Sequence, residues 1–269
     1  MKKKRIKISN IITLILFFII IFSGMKIIDW MKDNKKTKEN SKKINDLADV
    51  KEVKDSKDTI LVSEVDDKNN PYWYYIKFNL LDVNISELKK KNSDIVGWIN
   101  VNNTNVNYPF VQTDNNDYYL NHSIDKTYND AGWIFMDYRN DSSFNNRNNI
   151  IYGHSRLDKS MFGSLSKALK PNWYNNKDNH IIRISTETEN SLWQIFSVYK
   201  IKTEGYYITT YFSDNNEYLG FLNTLKSRSL YDFQTDFNEN DIILTLSTCY
   251  SDSEKTVIHA KLIKKSKKN

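Results

Sequence analysis

The sequence predicts a mostly β protein built on one closed or nearly closed sheet, held to a membrane by a single N-terminal segment. Three observations carry that expectation. From residue 97 onward, eight strand-like stretches rich in Val, Ile, Tyr, Phe and Trp recur with turn residues between them. Only three short helical patterns accompany them, one before the first strand and two between strands. A chain of 269 residues with 39% hydrophobic and 13% aromatic content is long and apolar enough to bury a real core.

The N-terminus is the first element. Ile11 to Met25 is almost wholly apolar, and Ile27, Ile28 and Trp30 extend it toward the roughly 20 residues that span a bilayer. Lys2, Lys3, Lys4, Arg5 and Lys7 precede it, so the positive-inside rule keeps that end cytoplasmic and puts the rest of the chain outside. A cleaved signal peptide is the alternative, but Phe22-Ser23-Gly24-Met25-Lys26 is a poor small-x-small cleavage site, which favours an uncleaved anchor over residues 1–30.

Charge excludes one class of partner. The formal net charge is +6, yet the five N-terminal cations and Lys264, Lys265, Lys267 and Lys268 at the other end account for it. Without those nine, 30 basic residues face 33 acidic ones, so the body of the protein offers no basic surface for nucleic acid.

Residues 31–71 are rich in Lys, Asp, Glu, Asn and Ser, with scattered Ile, Leu and Val, which predicts a solvated stalk with at most a helical stretch around Ile44 to Val53. The folded domain is expected over 72–269. Asn84 followed by Glu87 has the form of a capping box and opens a helix through Leu88 to about Lys91. The strands expected after it are Gly97 to Val101, Val106 to Val111, Trp133 to Asp137, Asn149 to Tyr152, His180 to Thr186, Leu192 to Ile201, Asp241 to Thr248 and Thr256 to Ile263. Two helices interrupt them. Ser160 to Leu169 is stopped by Pro171, and Asp214 with Glu217 caps a helix carrying Tyr218, Phe221, Leu222 and Leu225 at helical spacing. No internal repeat is present.

Chemistry centres on the single cysteine, Cys249, which rules out an intramolecular disulfide. Taken alone, a lone free cysteine is more often a small core hydrophobe than a nucleophile. Cys249, however, ends the apolar run Ile242-Ile243-Leu244 and Thr245-Leu246-Ser247-Thr248, just before a turn over Tyr250 to Glu254, and strand ends are common places for reactive groups. A histidine must then hold the thiolate. His180 and His259 fall in predicted strands, where structural roles are expected; His122 lies in a polar loop; His154 follows an apolar strand and a glycine and is the better candidate. A free thiol has pKa ~8.5, and a nearby imidazolium favours the thiolate that attacks carbonyls and forms a thioester. No paired ligand spacing calls for a metal, and nothing calls for a cofactor.

Five blocks in order resemble the sortase family, most closely its class B: Tyr118-Tyr119-Leu120-Asn121-His122, Gly132 to Asn140, Tyr152-Gly153-His154, Met161-Phe162 and Thr245-Leu246-Ser247-Thr248-Cys249. The resemblance covers roughly Leu88 to Ile263. It implies an eight-stranded β-barrel and a membrane-anchored cysteine transpeptidase of Gram-positive bacteria. Such enzymes cleave a C-terminal sorting signal after its Thr, of NPxTx type in class B, and pass the surface protein to an amine of cell-wall peptidoglycan or its lipid-linked precursor. By the motif match Cys249 is the nucleophile and His154 its acid/base partner, with Asn116, Leu120, Tyr152, Ser247, Tyr207 and Ile208 against the sorting peptide. Tyr207 and Ile208 are equally readable as packing between a strand and the next helix. The family's oxyanion arginine is missing: no arginine follows Arg228, and Lys255 stands in its place as a point charge without the planar fork, or as a solvated turn lysine. Two other readings stay open, a pilin-polymerising sortase and a sortase-fold surface binding module.

Overall fold

A computed structural model of the chain describes residues 8–62, 67, 69–249 and 254–268, with Cys249 described by its backbone alone. In chain order the elements are α1 (Ile8–Ala48), β1 (Lys51–Val53), β2 (Thr59–Leu61), α2 (Tyr72–Tyr75), β3 (Leu80–Asp82), α3 (Ile85–Lys89), β4 (Ile95–Val101), β5 (Asn107–Val111), β6 (Phe135–Met136), β7 (Asn148–His154), α4 (Pro171–Tyr174), β8 (Ile181–Thr186), β9 (Glu189–Ile201), α5 (Asn215–Ser227), β10 (Ile243–Cys249) and β11 (Lys255–Lys267).

The eight strands β4 to β11 close into a barrel. They follow the order β10-β7-β6-β5-β4-β8-β9-β11, and β11 pairs back onto β10 to shut the ring. Closure leaves β11 with a second partner on its C-terminal half, where β2 adds as a ninth strand. The inside is packed with Trp98, Phe110, Ile150, Trp193, Leu246 and Ile258, all essentially free of solvent. A second apolar layer lies outside, where Tyr218, Phe221, Leu222 and Leu225 of α5 cover Phe196, Ile243 and Val257. Because both faces of β8, β9 and β11 are covered, those strands are buried almost throughout instead of alternating. A register shift between His259 and Ala260 against β9 marks a bulge at Phe196, which lets Ile195 and Val198 both reach the inner core while Phe196 packs outside.

The caps form as the spacing predicts. Asn84 accepts from the Glu87 N–H at 3.2 Å and Asp214 from the Glu217 N–H at 2.8 Å. Elsewhere the local pattern is modified. The segment before Pro171 folds as a tight 3-10 turn, Gly163–Leu169, and Pro171 itself starts α4, where its missing N–H costs nothing. The turn expected over 250–254 lies, apart from Glu254, outside the described residues.

The segment expected to be a solvated stalk is packed. α1 runs unbroken for 41 residues; everything up to Lys32 on it is exposed apart from Gly24, whereas Asn34, Thr37, Ile44 and Ala48 are buried against the domain. Ile44 and Ala48 join the main core, β1 pairs with β3, and β2 pairs with β11. The charge density that argues for a spacer sits on the outer face of α1; one buried residue per turn is too sparse a stripe to stand out in the sequence. Lys264 also departs from the picture of a basic tail. It is 1% exposed, and its three ammonium protons go to Asp55 Oδ1 and the carbonyls of Ile76 and Phe78, each at 2.7 Å.

Candidate active site

β7 and β10 are parallel neighbours, so their C-terminal ends emerge at the same end of the barrel. Their register runs from Ile243 opposite Asn148, through Ser247 opposite Tyr152, to Cys249 opposite His154. The nucleophile and base expected from the sequence are therefore backbone neighbours although 95 residues apart. On the other side of β10 the antiparallel register with β11 pairs Leu246 with Ile258 and Ser247 with Val257. Continued two residues, it sets Lys255 across from Cys249, and Thr256 N–H donates to Thr248 Oγ1 at 2.9 Å along that path. Lys255 is half-buried and pairs with Ile201 of β9. Beside these strand ends is a cavity of ≈ 220 Å³ whose lining includes Ser155, Arg156, Lys200, Thr248 and Thr256.

The His154 ring is oriented by backbone. Its Nε2 lies 2.6 Å from the carbonyl oxygen of Leu120. A carbonyl can only accept, so Nε2 carries the proton and donates. Gly132 makes room for this contact. It has φ +57°, and a Cβ there would come within 2.7 Å of Leu120 O and 2.9 Å of His154 Cδ2. Leu120 ends a 3-10 turn, Tyr118–Leu120, whose position is set by Trp133 N–H donating to Tyr119 O and by Asn129 N–H donating to Asn121 O, both at 2.9 Å.

The remaining candidates surround the same face. Tyr152 donates its hydroxyl to Asp137 Oδ2 at 2.8 Å and packs against Phe135. Ser247 is fully buried, with its hydroxyl 3.0 Å from the Tyr207 hydroxyl. Tyr207 is 1% exposed in the layer under α5, so it holds Ser247 from beneath. The carbonyl of Ile208 accepts from Arg139 Nη2 at 3.1 Å, and Asn116 Oδ1 accepts from the Tyr138 N–H at 3.0 Å.

Asp137 and Arg139 are missed as site residues by the sequence reading. Burial pushes the Asp137 carboxyl up, but hydrogen bonds from Arg139 and Tyr152 outweigh it and hold it below the usual carboxylate range. The pair is bidentate, with Arg139 Nε at 2.8 Å and Nη2 at 2.7 Å. Through it Tyr152 of β7 is tied to the 206–208 segment. The one sequence signal is an acid and a base two apart inside the Gly132 to Asn140 block.

The other histidines are structural. His259 is fully buried between Tyr199 and Thr245. The one Thr245 hydroxyl proton goes to Asn148 Oδ1, so His259 Nδ1 donates and Nε2 accepts from Tyr199. Burial lowers its pKa to about 3. His180, bonded to Tyr75 and to the carbonyl of Tyr174, is lowered to about 4, again by burial. His122 stacks on Tyr118 with ring centroids 4.0 Å apart. Among the described residues no group of three or more His, Cys, Asp or Glu could hold a metal ion.

A closed eight-stranded barrel with cysteine and histidine in register at adjacent parallel strand ends defines a barrel enzyme of thiol-dependent acyl transfer. The family described as "Sortase domain" matches residues 99–263. Sortase B of Listeria monocytogenes is 33% identical over 262 residues, covering 94% of this chain and 96% of that protein. The crystal structure of sortase B from B. anthracis in complex with AAEK1 superposes with a TM-score of 0.71 at 32% identity, covering 87% of this chain and 99% of that one. A sortase B complexed with triglycine superposes with a TM-score of 0.63 at 37% identity, covering 66% of this chain and 85% of that one. The chain belongs to the sortase family of cysteine transpeptidases, and its relatives are of class B.

Proposed function

We propose that this chain is a class B sortase that joins surface proteins to the cell wall of a Gram-positive bacterium. α1, whose first part is a candidate membrane span, anchors it with the N-terminus cytoplasmic and the barrel outside. The substrate is a surface protein bearing a C-terminal sorting signal of NPxTx type. The Cys249 thiolate attacks the Thr carbonyl carbon, the following C–N bond breaks, and the leaving amine takes a proton from the His154 imidazolium, leaving a thioester. An amine of peptidoglycan or its lipid-linked precursor then attacks the thioester, gives its proton to His154 and frees the thiolate. The relative complexed with triglycine supports a peptide amine as acceptor.

The register of Cys249 with His154 is the observation that carries this reading. With Nε2 committed to Leu120 O, Nδ1 is the nitrogen that exchanges the proton with the thiol. Lys255 supplies positive charge toward the developing oxyanion from the opposite strand. Asn116, Leu120, Tyr152 and Ile208 contact the sorting peptide, and Ser247 and Tyr207 support that wall. The test uses the chain from Lys32 onward with an NPxTx-type peptide. Cleavage is expected, and Cys249→Ala is expected to abolish it; cleavage that persists in the variant would remove Cys249 as the nucleophile.

A further inference from the structure

The catalytic end of the barrel also carries an exposed apolar tip. Leu157, three residues after His154, is 81% exposed, and Tyr128, on the loop that leads to Gly132, is 65% exposed. Both lie beside α1 where it leaves its apolar stretch. Asp33 Oδ2 accepts from the Asp130 N–H at 3.2 Å, Asn34 Oδ1 accepts from Arg156, and Asn129 Nδ2 reaches Thr37 Oγ1 at 3.2 Å. Among the described residues, no side chain of α1 before Asp33 is buried. Asp158, on the same loop as Leu157, lines one cavity together with Trp30, Met31, Asn34, Lys35, Lys38 and Glu39 of α1.

Helix geometry converts this into a depth. A continuous helix rises 1.5 Å per residue, so Asn34 stands only about 5 Å beyond Met31. The headgroup layer on each side of a bilayer is about 5–7 Å thick, given ~30 Å of hydrocarbon in ~40–45 Å overall. We propose that the 156–158 loop, led by Leu157, and Tyr128 seat on the headgroup region of the bilayer that α1 crosses, so that the catalytic end of the barrel faces the lipid surface. The inference rests on α1 being the membrane anchor. The exposed Lys35, Lys38 and Lys159 beside the loop suit anionic headgroups, and Trp30 suits the interface. The opposite end of the barrel, where β2 joins the C-terminal half of β11, carries the exposed Lys57 and points away from the membrane.

Nitroxide labels test the depth directly. The full chain carrying Cys249→Ala receives one cysteine at a time, Ile19→Cys, Lys57→Cys, Tyr128→Cys or Leu157→Cys, and is reconstituted in vesicles of phosphatidylcholine and phosphatidylglycerol. The readout is the ratio of collisions with oxygen to collisions with a water-soluble nickel complex. At 157 and 128 the expected ratio is several-fold above that at 57 and below that at 19. Labels at 157 and 128 that both match 57, with 19 still lipid-exposed, overturn the seating and leave the anchor intact. An aqueous label at 19 overturns the anchor and the seating with it. If the Leu157→Cys loop fails to fold by near-ultraviolet circular dichroism, Tyr128→Cys on its separate loop decides alone.

Discussion

His154 gains its orientation from the Leu120 carbonyl, which in turn depends on a glycine tolerating φ +57° at position 132. Gly132→Ala adds both left-handed strain and a methyl group against His154 Cδ2. It should lower kcat/KM for sorting-peptide cleavage about 100-fold, the scale of a 1 Å misplacement, and Tm should fall with it, because the methyl group also meets the carbonyl oxygens of Tyr119 and Leu120. An unchanged kcat/KM would show that this contact does not set the ring. The buried histidines make a separate prediction. His180 and His259 are neutral in the fold, with pKa values lowered to about 4 and about 3, against an ordinary 6.5. The unfolded chain therefore binds protons first as pH falls. Their contribution is complete above pH 6.5 and is lost from there down to about pH 4 for His180 and about pH 3 for His259, with a slope approaching about 2.7 kcal/mol per pH unit while both differ in protonation and about half that below pH 4. Urea denaturation at stepped pH measures it, and His180→Gln should roughly halve the slope.

At the scale of elements, the parallel pairing of β7 with β10 matters most, because it turns two distant strand ends into one site. The packed half of α1 comes next. It braces the 123–130 loop through Lys36 to Thr127 at 2.5 Å, Asn40 to Ser123 at 3.0 Å and Thr37 to Asn129, and that loop carries on into Gly132. Ile44→Ala should cost about 2–4 kcal/mol, the range for truncating a buried Ile. Hydrogen exchange of the 123–130 amides should rise with it. A chain beginning at Lys32 keeps this brace, whereas one beginning at Lys51 loses it and should be less stable in urea by at least as much.

For the whole molecule, closure of the barrel removes free edges from the catalytic strands, and the N-terminal segment is locked to the last strand through Lys264. Lys264→Ala leaves two part-buried carbonyls without this donor and should cost about 1–3 kcal/mol by denaturation. Lys264→Met, which keeps the buried stem, should recover only the packing part.

The features legible in the chain before folding are local ones. The caps at Asn84 and Asp214, the positions of the barrel strands and the apolar N-terminal segment follow from spacing, and the family blocks bring Cys249 and His154 forward as candidates, because period, capping and motif are properties of neighbouring residues. Long-range folding supplied the rest: the pairing of residues 95 apart, the Leu120 carbonyl behind His154, the Asp137–Arg139 tie to Tyr152, and the docking of α1. Each of these joins segments whose separation has no period, and a half-turn stripe of Asn34, Thr37, Ile44 and Ala48 among lysines carries too little contrast to be told from a solvated helix.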